Sequence, residues 1–202
     1  MKLYYSPTSP YVRKVLVVAH ELGLDERIER LPSAAHPINR DRGIVAENPL
    51  GQAPTFLTDE GVMLADSRVI CEYLDTLAGG RLFPVAGPAR WRALTDQALG
   101  DGALAAALLA RYEAAVRPAE KQWRDWLDGQ VEKITDTLAL IEKNAATFGK
   151  RFDIGAITYA CLLGYLDLRF PALSWRDGRP ETAAWFARFD ERPSMAATRL
   201  RA

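Results

Sequence analysis

Three short stretches in the first third of this chain bring together side chains whose types and spacing could do chemistry. The first is "YYSPTSPYVRKV", residues 4–15. An apolar run stops at Ser6-Pro7, a polar turn follows, and an apolar helical pattern starts directly after Ser9-Pro10. A helix start presents unpaired backbone N–H groups and a partial positive charge. Ser9 stands where an N-cap belongs, and Pro10 suits the first helical position. Two readings are open. Ser9 caps its helix and does no more, or its hydroxyl, backed by the helix end, stabilises an anion held there.

The second stretch is "ENPLGQAPTFL", residues 47–57. Pro54 directly precedes a strand, so it belongs on an edge or in a turn, and a cis X-Pro bond is one way to make that turn. Such a bond would leave the Ala53 N–H and C=O facing outward, able to pair with an extended peptide as one more strand. An ordinary loop proline is the alternative. The third stretch is "LADSRVICEYL", residues 64–74, where Asp66-Ser67 opens a helix. The pair is either a simple cap or a clamp for an amino acid's two charges. In the clamp, the α-carboxylate takes the helix N–H groups and the Ser67 hydroxyl, and the ammonium takes Asp66.

The elements that must position these residues are legible from periodicity. "KLYY" (2–5) reads as a strand, and residues 12–24 place Val12, Val15, Leu16, Ala19 and Leu22 on one helical stripe ending at Gly23. "RIERL" (27–31) reads as a second strand, and 32–49 is turn-rich. "TFLT" (55–58) and "VML" (62–64) flank a hairpin turn, and 67–77 is a helix with Val69, Ile70, Tyr73, Leu74 and Leu77 turned inward. The order is β-α-β-(loop or α)-β-β-α. The Gly- and Pro-rich stretch 78–88 marks a boundary. Beyond it the pattern is helical: 89–117, closed by Pro118; an amphipathic stripe of Leu127, Val131, Ile134, Leu138 and Ile141; an almost wholly apolar helix over 154–170; and a last helix over 181–191.

Composition narrows the function classes. Lys+Arg and Asp+Glu are 26 each in 202 residues, so the formal net charge is zero, which argues against a polyanion binder such as a nucleic-acid protein. No apolar run approaches the roughly 18 residues of a membrane span, and the amino terminus lacks the long apolar core of a signal peptide. Cys71 and Cys161 lie far apart and read as buried reduced thiols of a cytoplasmic protein. The two histidines, His20 and His36, sit near no cysteine, and no metal-ligand spacing appears.

In this order and spacing, "SPTSPYVRKV", "NPLGQAPTF" and "ADSRVICEYL" resemble the amino-terminal half of a cytosolic-type glutathione S-transferase, of the bacterial kind with a serine active site. The later "FDIGAITYACLLGYLDLRF" resembles the buried helix of that family's carboxy-terminal domain, so the resemblance covers essentially the whole chain. It implies an α/β plus all-α fold. A thioredoxin-like, glutathione-binding domain of order βαβ-ββα spans 1–78, a linker spans 79–88, and an α-helical bundle domain spans 89–202. It further implies a cytoplasmic homodimer that uses glutathione as a substrate, with no metal. Residue by residue, Ser9 falls where the hydroxyl faces the glutathione sulfur. Ala53, before Pro54, matches the residue whose backbone pairs with the cysteinyl unit, and Gln52 a position that contacts the glycine end or backbone of glutathione. Asp66 and Ser67 match the grip on the γ-glutamyl group. His36 lies in the region from which other members reach the glycyl carboxylate, but no motif fixes it.

That resemblance gives Ser9 a physical task. A thiol with a pKa of about 8.5 is only about 3% ionised at pH 7, and lowering it by about two units needs roughly 2.7 kcal/mol of preference for the thiolate. One charge-assisted hydrogen bond, about 1.5–3 kcal/mol, together with the helix end, about 0.3–1 kcal/mol, is of that size. No general base is needed. "SPYV" stands where a glutaredoxin has Cys-Pro-Tyr-Cys, so disulfide exchange through an enzyme thiol is unavailable at this position. The buried helix keeps its cap at Asp153 but has Ala156 where the family carries an acid, so the reciprocal capping bond is lost.

The expected activity is transfer of the glutathione thiolate to a small electrophile, a detoxification-type conjugation. The co-substrate is expected between the domains, near Thr8 and Tyr11 and the helix around Arg111 and Tyr112, although Tyr112 reads equally as core and Arg111 as a solvated charge. Two other functions remain open: a non-catalytic binding or regulatory module on the same fold, and a glutathione-dependent isomerase or peroxidase. The serine-cysteine-rich loop of the isomerase class is absent from "SPTSPYV".

Overall fold

A computed structural model of the protein describes residues 1–149 and 151–201. The chain forms two compact units, one of Met1–Arg90 joined by the segment from Pro193 onward, the other of Trp91–Arg192. The first unit is a thioredoxin-like α/β fold and the second is all-α.

In the first unit the order is β1 (Lys2–Tyr5), α1 (Pro10–Glu21), β2 (Glu29–Pro32), α2 (Arg42–Glu47), β3 (Thr55–Leu57), β4 (Met63–Leu64) and α3 (Ser67–Leu77). The sheet runs β2-β1-β3-β4, with β2 parallel to β1 and the other two pairings antiparallel. Leu3 and Phe56 are register partners on neighbouring strands and are fully buried. Val12, Val15, Leu16 and Ala19 of α1 are buried, as are Ile70, Cys71 and Leu74 of α3, and the two helices pack together. The helix α1 closes with the Leu24 N–H bonded to the Ala19 carbonyl at 2.8 Å and the Gly23 N–H to that of His20 at 3.1 Å. That closure needs a left-handed residue between them, and Gly23 supplies it at φ +69°.

The second strand differs from the sequence expectation. It begins at Glu29 because Asp25–Arg27 form a single 3-10 turn, and the turn-rich segment after it holds α2, capped by Asp41. Buried Asp75 accepts the N–H groups of Arg81, Leu82 and Phe83 at 2.8, 2.8 and 3.1 Å, which fastens the Gly-rich stretch after α3 to the end of that helix.

The second unit consists mainly of α4 (Gly87–Ala115, beginning just before the division), α5 (Arg124–Phe148), α6 (Ile154–Arg169) and α7 (Pro180–Asp190). Of the expected stripe on α5, Ile134, Leu138 and Ile141 are buried, while Leu127 and Val131 are half-buried. In α6 every residue from Ile154 to Leu163 is buried. Asp153 caps α6 through the Ala156 N–H at 3.0 Å. The Asp153 carboxylate is held instead by Arg151, whose guanidinium donates to it at 2.8 and 3.1 Å and to Asp96 of α4 at 2.8 Å. Burial, reinforced by Asp96, pushes the Tyr159 phenol well above its ordinary range, and its hydroxyl donates to Asp96 at 3.2 Å. A short helix, α8 (Pro193–Ala197), opens the segment that returns to the first unit.

Among the described residues, no helix is long and apolar enough to cross a membrane. Among the described residues, no group of three or more His, Cys, Asp or Glu is placed to hold a metal ion.

Candidate active site

The sheet topology alone brings the three motifs to one end of the strands. Tyr4, near the end of β1, pairs with Thr55 at the start of β3, and Leu64, the end of β4, pairs with Phe56. The turn after β1, the turn before β3 and the turn after β4 therefore leave the sheet on the same side. Those turns carry Ser9, Gln52-Ala53-Pro54 and Asp66-Ser67 respectively.

Ser9 is the N-cap of α1, with extended backbone and its Oγ accepting the Val12 N–H at 3.3 Å. The Ser9 N–H in turn bonds the Ser6 carbonyl at 3.2 Å, and the Ser6 and Thr8 hydroxyls lie 3.3 Å apart, so the turn is tied to itself. Capping uses a lone pair of the Ser9 oxygen and leaves its proton available to donate. The two readings of Ser9 are thus compatible: the cap fixes the hydroxyl, and the same hydroxyl can donate to an anion.

The peptide between Ala53 and Pro54 is cis. Pro54 is buried, Ala53 half-buried and Gln52 exposed. A buried network that the sequence reading missed holds this turn. Asn48 donates from Nδ2 to Thr55 Oγ1 at 2.8 Å, Thr55 Oγ1 donates to the Gln52 carbonyl at 2.7 Å, and the Leu50 N–H donates to Asn48 Oδ1 at 3.0 Å. Its signal was present in "ENPLG", where an Asn ends a helix before a proline turn.

Asp66 caps α3 by accepting the Arg68 N–H at 2.9 Å, and Ser67, the first helical residue, is buried. The Arg68 guanidinium also lies on the Asp66 carboxylate, with Nη2 at 2.9 Å from Oδ2. Burial pushes the Asp66 carboxyl up. The Arg68 hydrogen bonds and charge, together with the nearby charge of Lys14, outweigh that and hold it below the usual carboxylate range. Lys14 is fully buried in α1 although it stands off the apolar stripe, so no local pattern announced it.

Thr8 and Tyr11 are half-buried in the first unit, and the Lys14 ammonium lies 5.9 Å from the centre of the Tyr11 ring. Arg111 and Tyr112 are half-buried in the second unit. Burial pushes the Tyr112 phenol up, with Arg111 pulling the other way, so Tyr112 is a neutral donor at ordinary pH. His36 is occupied in its own loop: its Nδ1 accepts the N–H groups of Ile38 and Asn39 at 3.2 and 3.1 Å. That geometry makes Nδ1 the unprotonated nitrogen.

Comparison with known proteins identifies the fold family. Residues 8–77 match the family model for the glutathione S-transferase N-terminal domain, and residues 102–188 match that for the glutathione S-transferase C-terminal domain. The chain is 34% identical to the uncharacterized GST-like protein YibF of Escherichia coli (strain K12), over 98% of each chain. It is 47% identical to a glutathione transferase family member from Pseudomonas fluorescens Pf-5, whose crystal structure has bound glutathione, with a TM-score of 0.97 over 100% of this chain and 99% of the other. A second structure from that organism, with bound S-(propanoic acid)-glutathione, is 46% identical with a TM-score of 0.92 over the full length of both chains. The chain belongs to the glutathione S-transferase family.

Proposed function

We propose that this protein is a glutathione transferase with a serine active site, which holds glutathione along one edge of its first unit and adds its sulfur to a small electrophile. The observation that carries the reading is the convergence of Ser9, Ala53 and the Asp66-Ser67 pair at one end of the sheet. The register Tyr4–Thr55 and Phe56–Leu64 enforces it. Glutathione is an extended, charged tripeptide, and each part finds its match there. The γ-glutamyl ammonium pairs with Asp66, and its α-carboxylate takes the Ser67 hydroxyl and the start of α3. The cysteinyl backbone pairs with Ala53, with Gln52 beside it, and the sulfur faces the Ser9 hydroxyl. The relatives that hold glutathione and S-(propanoic acid)-glutathione support this reading.

In the reaction, the Ser9 O–H donates to the thiolate and the N-terminus of α1 adds its partial positive charge, so the sulfur is ionised at neutral pH. The thiolate then attacks the electrophile. Thr8 and Tyr11, in the turn and first helical turn around Ser9, are assigned to the second substrate. In keeping with the family resemblance, the protein acts as a cytoplasmic homodimer.

Calorimetric titration with glutathione, followed by a panel of electrophiles, tests the reading. The expected results are saturable binding and conjugate formation above the uncatalysed rate. Absence of heat and of thermal stabilisation at millimolar glutathione would refute it. Binding without turnover of any electrophile would instead favour a non-catalytic glutathione-binding module, a reading to which the capping role of Ser9 also lends itself.

A further inference from the structure

Beside Ser9 lies a cavity of about 120 Å³ built wholly within the first unit. Its walls are the end of β1 and the turn that leads to Ser9, the first turns of α1, Arg30 of β2, and the chain segment 197–201. That segment is held in place by three contacts made over long sequence separations. Ser194 Oγ donates to Glu21 Oε1 at 2.5 Å, buried Arg13 donates from Nη2 to the Met195 carbonyl at 3.1 Å, and the Arg201 N–H donates to the Pro7 carbonyl at 3.2 Å. The last contact ties the end of the chain to the same turn that carries Ser9.

The charge of this cavity is one-sided. Arg13, Arg30, Arg199 and Arg201 line it, and among the described residues no Asp or Glu does. Four arginines thus meet at one recess. The N-terminus of α1 adds its partial positive charge on the same side. Guanidinium groups offer a planar fork that matches a carboxylate. The space admits a carboxylate on a short carbon chain.

We propose that this cavity binds the carboxylate of the second substrate, so that the preferred electrophile is a short α,β-unsaturated carboxylic acid, selected by Arg30 and Arg199. The proposal rests on the transferase reading above. In the step it describes, the thiolate sulfur forms a bond to the β-carbon of the acid. The pair of the carbon–carbon double bond moves to the α-carbon, which takes a proton from water. The carboxylate is unchanged and stays on the arginines.

The test compares acrylate with acrylamide, its uncharged twin, as co-substrates of the wild-type protein and of Arg30→Gln and Arg199→Gln. Both side chains are exposed, so the variants retain the fold. For the wild type, the ratio of kcat/KM for acrylate to that for acrylamide should exceed the ratio of the uncatalysed rates. Each variant should lower that ratio by at least about tenfold, the order expected for loss of a charge-assisted hydrogen bond. The change should fall on the acrylate KM, with acrylamide turnover kept, and Arg30→Lys and Arg199→Lys should retain part of the preference. An unchanged ratio with acrylamide still turned over overturns the carboxylate site and leaves the transferase reading intact. Loss of glutathione affinity with the ratio unchanged assigns the arginines to glutathione's own carboxylates and also overturns it. If neither compound is turned over, binding of unreactive propanoate to the glutathione-loaded protein decides. Binding that weakens in both Gln variants supports the site, and absent or unaltered binding overturns it.

Discussion

Arg68 lies as a fork on the carboxylate of Asp66, with Nη2 2.9 Å from Oδ2 and Nε 3.2 and 3.3 Å from the two oxygens, at the first turn of α3. A carboxylate has about four acceptor positions, and with the capping Arg68 N–H on Oδ1 at 2.9 Å the contacts from Arg68 already use them. An incoming ammonium therefore shares the Asp66 oxygens with the Arg68 fork or shifts it. The consequence for binding is direct: Asp66→Ala should weaken glutathione affinity by about 1.5–3 kcal/mol, the worth of a hydrogen bond to a charged group. The turnover of bound glutathione should stay nearly constant, because Asp66 is assigned to the remote ammonium. Calorimetry and saturation kinetics read the two separately, and unchanged affinity would remove Asp66 from the γ-glutamyl pocket.

The same ion pair sets a pH dependence. The folded Asp66 carboxyl is held below its ordinary value, so its contribution to stability is present above the unfolded value, near about 3.9. It is lost as pH falls through the folded value. Carbon NMR of the side-chain carboxyl against pH should place the Asp66 inflection below that reference. Arg68→Ala should move the inflection upward, since it removes the interactions that outweigh burial. An inflection that stays put would mean that Lys14 or the helix end governs the charge.

Asn48 is expected to matter for stability although it touches no reacting group. It is 3% exposed and both faces of its amide are used, one on Thr55 and one on the Leu50 N–H. Asn48→Ala orphans those partners and should cost about 1–3 kcal/mol, seen as a lower midpoint in urea unfolding. It should also loosen the turn that presents Ala53. A midpoint equal to wild type would show that water satisfies the freed groups.

Gly155 marks a close approach of α6 to α4. A Cβ there would lie 2.6 Å from Asp96 Cβ and 2.9 Å from the Ala93 carbonyl. Gly155→Ala should therefore push the two helices apart and destabilise the protein by about 1–3 kcal/mol, the usual cost of overpacking. Thermal unfolding checks this, and an unchanged or raised Tm would contradict the packing.

Much of this architecture is local and therefore legible in the sequence. The stripe of Val12, Val15, Leu16 and Ala19, the cap at Asp66 and the apolar run after Asp153 each express one element's own periodicity or capping chemistry. The end of the sheet shared by the three motifs follows once the β-α-β-α-β-β-α order is known, because parallel and antiparallel pairing decide which turns face together. What stayed hidden is long-range. The return of the chain end depends on Arg13 meeting the Met195 carbonyl across 182 residues, and α8 has only five residues, too few to show a period. Lys14 and Arg13 sit between the apolar positions of α1, where charged residues normally face water, so their burial has no sequence signal. The Arg68 fork was within reach, since a basic residue two places after a capping Asp can fold back on it. The shift of β2 toward Pro32 reflects a 3-10 turn at Asp25–Arg27 that hydrophobic alternation does not register.

The central claim is that the Ser9 hydroxyl, while capping α1, also donates to the glutathione thiolate. The ultraviolet absorbance of the bound thiolate, titrated against pH in wild type and Ser9→Ala, tests it most directly. The account predicts that the pKa of bound glutathione rises by about one to two units in Ser9→Ala, the equivalent of one charge-assisted hydrogen bond, with little change in affinity. It also predicts a stability loss of only about 0.5–2 kcal/mol from the missing cap. Superimposable titration curves, with the stability loss alone remaining, would reduce Ser9 to a helix cap and contradict the account.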